Sequence, residues 1–293
     1  MSTPPFLVLP GCARAERVGT GRGAFAALRA EPAGAVRGSA LLVPGFTGSK
    51  EDFIALLEPL AAAGYRVTAV DQRGQYETGG PDDPAAYTVA ALGEDVRALA
   101  EALAAEGGGP VHLLGHSFGG QVVREAVLAA GPGPVPWRSL TLMSTGPGAI
   151  EPSEAARTKL LLDVLPVMSL EEIWQVIQQL DAQSPQPKPE LAPEIAEFMH
   201  RRWVANVPAS LSVTGGHLMA APDRVAELAG AVRARALPVL VMSGVRDYAW
   251  PVPQQSEMAE RLGARRVVVE DSGHSPAAER PVETARALAG FWG

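Results

Sequence analysis

Serine is a weak nucleophile at neutral pH, and the residues around Ser117 are of the kind that make one react. Gly115-His116-Ser117-Phe118-Gly119 follows the apolar run 111–114 and precedes a helical period starting at Gln121. A strand that turns at once into a helix bends sharply at the residue between them. Side chains two before and two after would collide at such a bend, so glycine is needed at both places. The bend lifts the serine oxygen clear of the sheet. It also aims the next backbone N–H, that of Phe118, into the same space, at the positive end of the helix. The plainer alternative is a glycine-rich turn carrying an idle serine, but the strand before and the helix after are the context that favours chemistry.

Such a serine needs a base, and the base needs an orienting acid. Of the five histidines, His112 falls within a predicted strand, His116 sits beside the nucleophile and points elsewhere, and His200 and His217 fall in a long helical stretch. His274, in Asp271-Ser272-Gly273-His274-Ser275-Pro276 just after the last predicted strand, is the expected base. The acid is expected beyond the strand before, where Asp247 follows the run 237–244; its alternative role is an Asx turn. Asp271 is a rival acid, although its closeness in sequence to His274 suits a turn former better.

The elements that must position these groups show as short apolar runs alternating with helical periods. The runs are 39–43, 65–70, 111–114, 139–143, 237–242 and 266–269. Ser49 with Asp52 reads as a cap for a helix carrying Phe53, Leu56, Leu57 and Leu60 on one face. Thr88 caps another, with Val89, Leu92, Val96, Leu99 and Leu103 inward, and 282–292 forms a terminal helix. Residues 18–29 suggest an antiparallel ribbon. This alternation predicts an α/β fold, a mostly parallel sheet covered by helices on both faces. Residues 148–221 break the rhythm, with a Ser169–Glu172 capping box, a Pro-rich stretch at 184–193 and a second helical period through Ile195, Phe198, Met199 and Trp203. They read as a helical cap inserted between a first core part, 1–147, and a second, 222–293. Trp174 and Trp203 lie in it and either pack it onto the sheet or line a pocket; Trp250, beyond Asp247, is a third candidate for substrate contact.

Composition excludes several classes. Thirty-two acids against 25 bases leave a net charge of −7, which does not favour nucleic acid. The single cysteine, Cys12, forms neither an internal disulfide nor a Cys-based zinc site, no His-x-x-x-His pair is present, and no metal or organic cofactor is expected. Leu9-Pro10-Gly11-Cys12 resembles a lipoprotein cleavage box, but a basic region is missing and the apolar stretch 6–9 is too short, so no lipidation is expected. No stretch is long and apolar enough to span a bilayer, and a cytoplasmic protein without stable membrane association is expected. Gly45-Phe46-Thr47-Gly48-Ser49-Lys50 has the wrong order for a phosphate loop, and Gly19-Thr20-Gly21-Arg22-Gly23 lacks the context of a dinucleotide site.

Val43-Pro44-Gly45-Phe46, Asp71-Gln72-Arg73-Gly74, the Ser117 turn, Ser243-Gly244-Val245-Arg246-Asp247 and Ser272-Gly273-His274, in this order, resemble the α/β-hydrolase fold from about residue 18 to 293. The resemblance implies an eight-stranded, mostly parallel sheet, a helical cap after the sixth strand, and the backbone N–H of Phe46 as a second oxyanion donor beside that of Phe118. Two departures stand out. Many relatives carry His-Gly where this chain has Pro44-Gly45. Relatives often read Asp-x-Arg-Gly-x-Gly-x-Ser where this chain has Gly74-Gln75-Tyr76-Glu77-Thr78, so a differently shaped loop is expected, with Tyr76 at a rim or facing substrate. A serine rather than an aspartate nucleophile argues against dehalogenase and epoxide hydrolase chemistry. The expected activity is hydrolysis of a small or medium hydrophobic carboxylic ester through an acyl-enzyme. The alternatives are other Ser-His-Asp chemistry (C–C bond hydrolase, perhydrolase, aminopeptidase, thioesterase, acyltransferase) and a non-catalytic ligand-binding relative.

Overall fold

The structure, a computed structural model, describes residues 2–131, 133–183 and 190–293; of the Pro-rich stretch at 184–193, residues 184–189 lie outside the described residues. Eight strands form one sheet: β1 (Ala13–Thr20), β2 (Gly23–Ala30), β3 (Gly38–Val43), β4 (Tyr65–Val70), β5 (Val111–His116), β6 (Trp137–Met143), β7 (Val239–Gly244) and β8 (Arg265–Val269). Their spatial order is β1-β2-β4-β3-β5-β6-β7-β8. β2 is antiparallel to both neighbours, and the pairings from β4 through β8 are parallel. β3, β5 and β7 are buried along their whole length, as strands covered on both faces must be. The ribbon expected at 18–29 is longer, pairing Ala13 with Ala30 through to Thr20 with Gly23. Its outer strand carries Arg14, Glu16 and Arg17 with little apolar alternation, the make-up of a protected sheet edge, and that is why the pattern concealed it.

Helices α1 (Ile54–Ala62) and α11 (Pro281–Trp292), with the short α10 (Pro276–Glu279) just before α11, cover one face over a core containing Leu42, Leu56, Leu60, Leu240 and Leu288. Helices α2 (Val89–Leu103), α3 (Phe118–Leu128), α8 (Val225–Ala234) and α9 (Val252–Leu262) cover the other, over Leu41, Val96, Leu113, Val122 and Val241. Thr88 caps α2 by accepting the Ala91 N–H at 3.2 Å. Ser49 does not cap α1. A 3-10 turn, Lys50–Phe53, precedes that helix, and the Lys50 N–H donates instead to Asp71 Oδ1 at 2.7 Å. A carboxylate from the loop after β4 thus takes the place of the local cap, while Asp52 turns inward to the Arg202 guanidinium at 2.7 Å.

Between β6 and β7 the described residues form four helices before α8: α4 (Pro152–Val164), α5 (Leu170–Ala182), α6 (Pro193–Val204) and α7 (Pro208–Ala220). The Ser169–Glu172 capping box is formed in full. Neither α4 nor α7 has a readable apolar period. α4 buries none of its residues, and α7 carries Gly215 and Gly216, poor helix formers held by packing; a Cβ on Gly215 would lie 3.0 Å from Leu162 and 3.2 Å from Thr158 of α4. Among the described residues no helix is long and apolar enough to cross a membrane.

Candidate active site

Ser117 stands between β5 and α3 with φ 54° and ψ −123°, a strained backbone fixed by two hydrogen bonds: its N–H donates to the Met143 carbonyl and its own carbonyl accepts the Gly120 N–H, both at 2.9 Å. The flanking glycines serve different neighbours. A Cβ on Gly115 would lie 2.3 Å from the Gly119 carbonyl oxygen, a clash within the bend itself. A Cβ on Gly119 would lie 2.4 Å from the carbonyl oxygens of Val43 and Pro44, at the end of the adjacent β3. The collision expected from the spacing holds for the first; the second is set by the neighbouring strand.

His274 Nε2 lies 3.0 Å from Ser117 Oγ, and His274 Nδ1 lies 2.9 Å from Asp247 Oδ1. A carboxylate only accepts, so Nδ1 carries the proton and Nε2 is left to accept the serine O–H. Asp247 Oδ1 also accepts the N–H groups of Ala249 at 2.9 Å and Trp250 at 3.2 Å, and Oδ2 accepts Gln255 Nε2 at 2.9 Å. Both readings of Asp247, Asx turn and partner of the base, are therefore realised in one carboxylate. Burial pushes this group up, but the bonds from His274 and the two peptide N–H groups outweigh it and hold the carboxyl below its usual range. Asp271 adopts φ 53°, is exposed, and pairs with Arg280 at 3.2 Å. It shapes the turn.

The loop bearing His274 is fixed from three sides. A Cβ on Gly244 would lie 2.3 Å from the Gly273 carbonyl oxygen, so the loop crosses directly over the end of β7. The Glu279 carboxylate accepts the N–H groups of Gly273 and Ser275. His116 Nε2 donates to the His274 carbonyl at 2.8 Å. Burial, with the nearby His274 adding to it, pushes His116 down to about 3, so its imidazole is neutral and acts as a fixed donor. Sequence reasoning missed this role, and it missed Glu279 and Gln255 as well; no motif marks them.

The loop after β3 reaches the nucleophile because residue 45 has no side chain: a Cβ there would lie 2.8 Å from Ser117 Cβ and 3.2 Å from its Oγ. The Gly45 carbonyl accepts Gln75 Nε2 at 2.8 Å and the Gly48 N–H at 3.1 Å. In a planar trans peptide the N–H opposes the carbonyl, so the Phe46 N–H is directed the other way. The Phe118 N–H is one of the unpaired donors of the first turn of α3. Gln72 Nε2 donates to the Pro44 carbonyl at 2.8 Å, and the Gln72 N–H to Gln75 Oε1 at 2.9 Å. Two amides, Gln75 in the unusual 74–78 loop and Gln72 just before it, thus hold the carbonyls of Gly45 and Pro44. Asp71 and Lys50 join the same two loops. Burial alone would lower the Lys50 ammonium, but Asp71, Glu51 and Glu77, at 3.1, 2.9 and 2.7 Å, hold it above its usual range.

A cleft of about 820 Å³ opens above Ser117 and His274, walled by α4 and α5 and by Phe46, Trp203 and Trp250. The indole N–H of Trp203 donates to the Leu170 carbonyl at 2.7 Å, and that of Trp250 to the carbonyls of Gly148 and Ala149 at 3.1 Å. Both rings therefore offer the cleft apolar surface only. Trp174 is not part of the lining; it packs against His200 and Trp203. Tyr76 stands apart from the lining too, edge-on to Phe198, with the Lys50 ammonium 4.7 Å above its ring.

Residues 40–287 match the profile of the alpha/beta hydrolase family, and the chain belongs to that family. No curated protein matches it significantly. Among solved structures, it is similar to a hydrolase from Pseudomonas aeruginosa PA01 (23% identity, 96% of this chain and 98% of that one, TM-score 0.71). It is also similar to a thermophilic esterase from Thermogutta terrifontis (21%, 95% and 97%, TM-score 0.69) and to an esterase from Exiguobacterium antarcticum (17%, 95% and 99%, TM-score 0.71). At these identities the likeness establishes the fold.

Proposed function

We propose that the protein is a serine hydrolase that cleaves a carboxylic ester in two steps. The observation that carries this reading is the unbroken hydrogen-bond chain Ser117–His274–Asp247 at the floor of an apolar cleft. His274 takes the serine proton as Oγ attacks the ester carbon, and Asp247 keeps the imidazole in the required tautomer and stabilises its charge. The N–H groups of Phe46 and Phe118 receive the oxyanion, each contributing about 3 kcal/mol to the lowered barrier. His274 then protonates the leaving alcohol, and water enters by the same route in reverse. The four inserted helices act as the cap of this site. Two of the solved structures the chain resembles are esterases, which supports an ester over an amide, as does the easier departure of an alkoxide than of an amine.

An alkylphosphonofluoridate followed by mass spectrometry tests the reading. An adduct on Ser117, absent in Ser117→Ala and reduced in His274→Ala, is expected, together with hydrolysis of p-nitrophenyl esters. A folded protein that takes no adduct is a binding relative instead. An adduct without turnover of any ester moves the assignment to other Ser-His-Asp chemistry.

A further inference from the structure

The wall of the cleft has an unusual property. α4 is a 13-residue helix with no buried residue. So short a helix is marginal in water without packing. α7 supports one side of it, while Leu161 and Val164 face the cleft. Opposite, Ile173, Ile177 and Leu180 of α5 lie at helical spacing and face the same cleft. The α5 stripe thus runs along this space for two helical turns, roughly 10 Å, and the α4 stripe for about one, while Glu154, Arg157 and Thr158 of α4 and Asp181 of α5 line its more polar outer part.

The stripes have a direction. Exposure climbs along α5 from 4% at Ile173 to 42% at Val176 and 63% at Leu180. At the closed end, Phe46 packs into the cluster of Leu170, Ile173, Trp203 and Leu211. Phe46 is also the residue whose N–H is directed to the oxyanion. At the open end, Leu160 and Leu180 stand in solvent, at 68% and 63% exposure. The leaving oxygen must lie within reach of His274 Nε2, on the side walled by Tyr248 and Trp250. The half of the substrate that remains on Ser117 therefore extends past Phe46 and between α4 and α5.

We propose that this groove binds an unbranched, medium- to long-chain acyl group, so that the substrate is an ester of a linear aliphatic acid. The inference rests on the hydrolase reading and goes further by assigning the acyl half and its shape. A linear chain covers both stripes, whereas a compact or branched acid covers only the closed end. Because the outer end is open, chains longer than the groove are accommodated with their tails in solvent.

The test is kcat/KM for p-nitrophenyl acetate, butyrate, octanoate, dodecanoate and the branched pivalate. The expected profile rises about fourfold per added methylene up to octanoate, from the free energy of burying each one, and then levels off. Pivalate falls below butyrate. In Ile177→Trp, which obstructs the middle of the groove, the octanoate-to-acetate ratio drops about tenfold. A flat or falling straight-chain profile with acetate still hydrolysed overturns this inference alone, as does an unchanged ratio in a folded Ile177→Trp. The wild-type series stands without the variant. No turnover of acetate and no phosphonate adduct on Ser117 overturns the hydrolase reading and this inference with it.

Discussion

The floor of the cleft and its roof are built on different principles. In the floor, the carboxylate of Asp247 accepts four hydrogen bonds, the loop of His274 is tied by Glu279 and His116, and the peptide before Phe46 is aimed by Gln75. These bonds are directional and largely buried, so each fixes an atom. In the roof, α4 buries no residue and α5 buries only Leu170 and Ile173. Apolar contacts fill space without fixing direction. Roof and floor meet at a buried ion pair, Arg202 with Asp52 at 2.7 Å, and Arg202 also donates to the Ser2 carbonyl at 2.7 Å. On the proposed reading, the contrast separates two tasks: holding reacting atoms in register, and covering the apolar half of the substrate.

If that division holds, floor substitutions lower kcat and roof substitutions raise KM. The largest effect is expected for Asp247→Asn. Loss of the orienting carboxylate lowers turnover on the order of 10⁴-fold, while Asp271→Asn stays within about twofold, as steady-state kinetics on a p-nitrophenyl ester will show. Equal damage from both would place the acid elsewhere. Next comes Gln75→Leu, which leaves the Gly45 carbonyl held by the Gly48 N–H alone and relaxes the Phe46 N–H. A fall of about tenfold to a hundredfold in kcat with little change in KM is expected. Leu161→Ala in the roof does the opposite, raising KM for octanoate at nearly constant kcat. A KM effect from Gln75→Leu would erase the distinction.

The smallest effect is on stability. His112, near the start of β5 against Tyr65 and Trp292, and His116, beside Ser117, are both pushed down to about 3, chiefly through burial. The unfolded chain protonates each near pH 6.5, whereas the folded chain does so only near 3. Stability is therefore complete above about pH 6.5 and is lost as pH falls toward 3, by up to about 2 kcal/mol for each histidine at pH 5. Thermal melts from pH 8 to 4 will read this slope, which should be shallower in His112→Leu.

The parallel strands, the bend at Ser117 and the order Ser117, Asp247, His274 were legible because each leaves a local mark: a continuous apolar run, glycines at fixed spacing, a turn after a strand. The Ser169 capping box was legible for the same reason. Ser49 misled because its helix is capped from a distance by Asp71, a contact between residues far apart in the chain. α4 and α7 were hidden because neither carries a regular apolar stripe: α4 buries no residue and lines a cleft, and α7 reaches the cores through Leu211 and Leu218, with Thr214 and Gly215 between them on the buried face. Trp174 was grouped with Trp203 by composition, but their neighbours place only Trp203 on the cleft.

From the sequence alone come the strand–helix alternation and the types of reacting group, because backbone periodicity and glycine sterics act over a few residues. The tertiary structure alone decides how the Phe46 peptide faces, what holds the His274 loop, and where the groove lies between α4 and α5. Apart from the short-range bonds of Glu279, those depend on hydrogen bonds and contacts between segments that are distant in the chain, and no local pattern encodes such a meeting.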